Sequence, residues 1–178
     1  AGIDPSSAGV LSNQDLLHFA QKLSIDENGD GTPDQWGVAL IGGRLSSHYF
    51  LNLFFGLGGE GFDSQGRFVM PNHRKELVET MRLFRALSEF APGGPRGAVN
   101  MTFGQNVPVF ANEEAAMMMH VTLGGYVETS NLNPSMENNI GWFTSPSGVR
   151  ALNSLLVSEA ARRDGKMESV WRLVEHLI

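Results

Sequence analysis

A chain of 178 residues, 42% of them apolar, is long enough to bury one proper core and too apolar for disorder. Its formal charge of −6 and lack of a Lys/Arg cluster argue against a nucleic-acid partner. With no cysteine there are no disulfides, thiolate zinc sites or cysteine nucleophiles, and no run reaches the ~18 apolar residues of a membrane span.

The chain opens Ala1-Gly2-Ile3-Asp4-Pro5 without Met or a basic-then-apolar leader, which reads as a processed or excised segment. Asp4 to Gly9 is a turn-forming lead-in. Ser12 or Asn13 caps a first helix, with Leu16, Leu17, Phe19, Ala20 and Leu23 on one face. An oxygen-rich loop follows, and Trp36 to Ile41 reads as a short buried strand ended by Gly42-Gly43. Ser46 to Leu57 is apolar nearly all round, as in a helix buried on most sides. Phe62 to Val69 forms a small hairpin turning at Ser-Gln-Gly. Asn72 caps a helix over His73 to Phe90, whose inward stripe is Leu77, Met81, Phe84 and Leu87.

Ala91 to Gly97 is the least structured stretch, rich in Pro and Gly. Val107 to Asn112 makes one to two helical turns, and Ala115 to His120 is a strand by its apolar run. Gly124-Gly125-Tyr126 opens a short helix or loop. Ile140 to Phe143 and Leu152 to Val157 read as further strands, and Lys166 to Ile178 as a closing amphipathic helix. Strands alternating with helices predict an α/β fold, a mostly parallel sheet flanked by helices. The whole chain, 1–178, is one domain.

The loop Asp26-Glu27-Asn28-Gly29-Asp30-Gly31-Thr32-Pro33-Asp34 matches the first part of an EF-hand calcium loop. Asp26, Asn28, Asp30 and Asp34 supply side-chain oxygens at alternate positions, Thr32 a carbonyl, and Gly31 the tight turn. Gly37 stands where an EF-hand places its bidentate Glu, so the loop can hold a cation without being an EF-hand. Calcium, if held, is structural.

The order of segments is more informative than any one. Gly2-Ile3-Asp4-Pro5, a capped helix, Asp30-Gly31-x-x-Asp34-x-Trp36-Gly37, an aromatic helix ending in Gly58-Gly59, and Phe110 to Met117 (F-x-N-x-x-A-A-M) occur in succession. Gly141-Trp142-Phe143-x-x-Pro146 and Asn153-Ser154-Leu155 follow, then a closing helix with Trp171 and Leu173. This succession resembles the family 1 extracellular solute-binding proteins of ABC importers. The resemblance covers nearly the whole chain, although the Trp usual just before the first helix is absent from Leu11-Ser12-Asn13.

It implies a single lobe of a periplasmic-binding-protein type II fold, mainly the second of two lobes, and hence a fragment. It implies capture of a solute, a sugar or oligosaccharide, in an inter-lobe cleft, and delivery to ABC permease transmembrane subunits from a periplasmic or extracellular location. It places two segments at the cleft: Ser47, His48 and Tyr49, then His120, Thr122, Leu123, Gly124 and Tyr126. Aromatic faces stack on sugar C–H surfaces while His, Ser and Thr hydrogen-bond hydroxyls. The bland alternative makes Tyr49 and Tyr126 core aromatics, as Trp36 and Met117 to Met119 are expected to be. The alternative function is a small calcium-stabilised interaction module without a transport role. No G-x-S-x-G, H-E-x-x-H or P-loop is present, so no enzyme is expected.

Overall fold

The computed structural model describes residues 12–43, 46–119, 124–137 and 139–141. Six α-helices follow one another among them: α1 (Asn13–Leu23), α2 (Ser46–Gly56), α3 (Arg74–Ser88), α4 (Gly94–Asn100), α5 (Phe103–Ala111) and α6 (Gly124–Leu132). Single 3₁₀ turns precede α3 and follow α6. None of the helices is long and apolar enough to cross a membrane.

The expected mostly parallel sheet does not form among the described residues. The chain is mostly helical, and the described residues contain only isolated β-bridges. Two of these are parallel and join the segments expected as strands: Trp36 with Ala115, and Ala39 with Met118. Their spacing explains why no strand results. On one edge of a regular parallel strand the bonding residues alternate, two apart. Here they are 36 and 39, so the backbone must bend between them. Gly37 makes the bend, its N–H donating to Ser24 Oγ at 2.9 Å, and the Val38 N–H turns away to Phe90 O at 3.1 Å. The ladder is broken there by tertiary contacts. The residues expected as strands at 140–143 and 152–157 lie outside the described residues, apart from Ile140 and Gly141, which are neither helix nor strand. The closing helix expected over 166–178 also lies outside them.

Segment 36–43 is nevertheless the centre of the core. Val38, Ala39, Leu40 and Ile41 are all at 0% exposure. Alternation sends Val38 and Leu40 to one side, among Leu16, Ala20, Leu53, Leu87, Ala91, Ala98 and Met117. Ile41 goes to the other, with Tyr49 and Met101. Helices thus cover both faces of a short extended rod, α1, α2, α3 and α4 on the first side.

Local signals account for most boundaries. Ser12 is the cap of α1: its Oγ accepts from Asp15 N at 3.1 Å, and Asp15 Oδ2 accepts from Ser12 N at 3.0 Å. The hairpin forms as expected, Phe62 bridging Phe68, and Asp63 grips Arg67 at 2.7 Å. Hydrogen bonds from Arg67 hold the Asp63 carboxyl below its ordinary range.

Two boundaries and one facing differ. Asn72 lies in the 3₁₀ turn, and His73 stands at the N-terminus of α3 without a side-chain cap. Met81 points outward at 61% exposure, although Leu87 is fully buried. The Pro/Gly stretch, expected as a loop, runs into α4, with Pro95 in the first turn where its missing N–H is harmless.

Candidate functional site

Segment 36–43 ends against the C-terminal end of α4. Gly42 N donates to Ala98 O at 2.9 Å and Gly43 N to Met101 O at 3.2 Å, giving that helix end two of the donors it lacks. A Cβ at position 42 would stand 2.6 Å from Ala98 O, so the approach requires glycine. Ser46 N then donates to Gly43 O at 3.0 Å, close to where α2 begins.

The first turn of α2 carries one of the two expected ligand segments. Ser47 is exposed, His48 half-buried and Tyr49 buried at 2%. Tyr49 sits with Ile41 and Met101, flanked by Phe84, Phe103, Val109 and Met119. Its ring is therefore core, as the bland alternative had it. Its hydroxyl is not accounted for: Tyr49 Oη is buried with no hydrogen-bond partner among the described residues. Burial pushes its pKa up to about 12.

The second expected segment follows residues 115–119. His120, Thr122 and Leu123 lie outside the described residues. Gly124 is exposed at the start of α6, and Tyr126 is half-buried, its hydroxyl donating to Glu137 O at 3.4 Å. Because segments 36–43 and 115–119 pair in parallel, they run in the same direction. Each is followed, after a few residues, by one of the helices that carry the expected ligand residues, α2 and α6.

Helix α5 lies between these parts and was only half expected. It starts at Phe103, where Thr102 and Gln105 close a capping box, Thr102 N donating to Gln105 Oε1 at 3.0 Å. The pattern T-x-x-Q at 102–105 was the available signal for that start. Starting there puts Asn106 inside the helix, fully buried, with neither Oδ1 nor Nδ2 bonded among the described residues. Neither Asn106 nor Ser130, whose Oγ is also buried and unpartnered, was a candidate from sequence.

The 26–34 loop immediately precedes segment 36–43 and closes on itself. Ile25 and Gln35 bridge at its base, and Asp26 accepts from Gly29 N at 2.8 Å and Gly31 N at 2.9 Å. Asn28 Oδ1 accepts from Asp30 N, Asp30 Oδ1 from Thr32 N, and Asp34 Oδ2 from Glu27 N, at 2.8, 2.7 and 2.8 Å. Gly31 has φ +87°, the left-handed turn its place in the motif calls for. Among the described residues no three His, Asp or Glu side chains are grouped closely enough to hold one metal ion. The carboxylates organise the loop through its own N–H groups. Each oxygen retains a second lone pair, but joint ligation would require the acids to draw together.

No protein-family model matches the chain, and no curated protein matches it.

Proposed function

We propose that the chain captures a neutral solute of the sugar class for an ABC import system and delivers it to the permease from outside the cytoplasmic membrane. The observation that supports this most is the parallel pairing of Trp36 with Ala115 and Ala39 with Met118. It sends two chain segments in one direction, and the residues that follow them are those the resemblance assigns to the ligand: Ser47, His48 and Tyr49, and His120 to Tyr126. The helices α2 and α6 carry no Lys or Arg, which suits an uncharged ligand. Catalysis is not part of the proposal. Isothermal titration of the natural full-length protein with neutral mono- and oligosaccharides tests it: saturable heat supports capture, and none with any sugar defeats it.

Calcium enters as a subsidiary proposal, a structural clasp at Asp26, Asn28, Asp30, Thr32 and Asp34. Its support is the alternate spacing of oxygens around a loop already curled by Asp26. If calcium stabilises the chain and no sugar binds, the calcium-stabilised interaction module is the better account.

A further inference from the structure

Asn28-Gly29, in the 26–34 loop, is the one place in the chain where an asparagine is followed by a glycine. That dipeptide has a chemistry of its own. The backbone nitrogen that follows an asparagine can attack the side-chain amide carbon, and glycine puts no side chain in the way. Both residues are exposed, and a Cβ at position 29 would meet nothing within 4 Å, so neither burial nor crowding blocks the attack.

What restrains it is a single carboxylate. Gly29 N, the attacking atom, donates to Asp26 Oδ1 at 2.8 Å. To become a nucleophile the nitrogen must give up that hydrogen, and the negative charge it gains would then face a carboxylate. Asp26 Oδ2 is held in turn by Gly31 N at 2.9 Å, which keeps the carboxylate from swinging aside. The rest of the reaction is prepared. Asn28 Oδ1, the oxygen on which charge would collect, accepts from Asp30 N at 2.8 Å. Asn28 Nδ2, the leaving nitrogen, is tied only by a long bond of 3.4 Å to Asp34 Oδ1.

We propose that Asn28 is a deamidation site, restrained by the grip of Asp26 on the Gly29 nitrogen. When that grip opens, hydroxide takes the Gly29 N–H proton and the bond from Gly29 N to Asn28 Cγ forms. The bond from Cγ to Nδ2 breaks, and Nδ2 leaves as ammonia with a proton from water, which returns the hydroxide. The result is a cyclic imide. Water then opens the ring at Cγ, giving aspartate, or at the backbone carbonyl, giving isoaspartate. Either product adds a carboxylate to a loop that already holds Asp26, Glu27, Asp30 and Asp34. The aspartate form also exchanges the amide donor that faces Asp34 for a like charge, so the modification loosens the loop. None of this depends on sugar capture.

The test incubates the whole chain at neutral pH without calcium and follows aspartate and isoaspartate at position 28 by peptide mapping with mass spectrometry. The folded wild type is expected to convert about tenfold more slowly than the same chain unfolded in urea. Folded Asp26→Ala should approach the unfolded rate, and Asp26→Asn, which keeps an acceptor without the charge, should lie between. A wild type that converts as fast folded as unfolded overturns the restraint, and that comparison stands even if the Asp26 variants fail to fold. Folded Asp26→Ala converting at the wild-type rate overturns it as well. No aspartate or isoaspartate at position 28 in the unfolded chain removes the site. Asn28→Asp, which reproduces one product, is expected to melt below the wild type in the same buffer, and an equal or higher midpoint overturns the loosening.

Discussion

Gly37 lies so close to Ala20 that a Cβ at position 37 would overlap the Ala20 carbonyl. The contact is backbone on backbone, so no rotamer can relieve it. It sets the bend that breaks the pairing with 115–119 and directs Val38 N to Phe90 O. Helix α1 and the central segment are thus in backbone contact here, beside the packing of Leu16 and Ala20 with Val38 and Leu40.

Gly37→Ala is therefore expected to destabilise the fold by about 3 kcal/mol or more, in the range of overpacked cores. Thermal or urea unfolding measures it. An unchanged midpoint would mean that α1 does not pack as described.

Tyr49 predicts an alkaline limit. Its folded pKa, pushed up to about 12 by burial, lies above the ordinary value of 10.0. The folded state therefore holds the proton more tightly than the unfolded state. Its contribution to stability is complete below pH 10 and is lost as pH rises towards 12. The loss is on the order of 2–3 kcal/mol, and Tyr49→Phe should abolish that part of the pH dependence. Equal alkaline profiles for the two proteins would contradict the burial of the phenol.

The central core was legible in sequence, and its architecture was not. The run from Val38 to Ile41 announced a segment buried on both faces, and it is one. Its continuation as a sheet could not be read, because the bend at Gly37 depends on Ala20 and Ser24, contacts that no local pattern encodes. Helix α2 was legible from its nearly unbroken apolar run and α3 from periodicity. Helix α4 was hidden by its Pro and Gly, although Pro95 in a first turn is itself a start signal. Tyr49 could be named from sequence, but a core role and a ligand role predict the same residue type. Asn106 was invisible because only its burial without partners distinguishes it from any polar helix residue.

The 26–34 loop separates two roles for its acids. Asp26 holds the N–H groups of Gly29 and Gly31, so Asp26→Ala should lower the melting temperature even without calcium, by on the order of 1 kcal/mol of stability. Calcium at millimolar concentration should raise the wild-type melting temperature and leave the variant unmoved. No stabilisation of the wild type removes calcium from the account and leaves the hydrogen-bonded loop in place.

Sugar capture at the edge where α2 and α6 begin is the central claim, and an amide-resolved NMR titration with glucose and sucrose tests it most directly. The account predicts saturable shifts concentrated at Ser46 to Tyr49 and at Met119 to Tyr126, with the 26–34 loop unmoved. Shifts absent throughout, or confined to residues away from those segments, would contradict it.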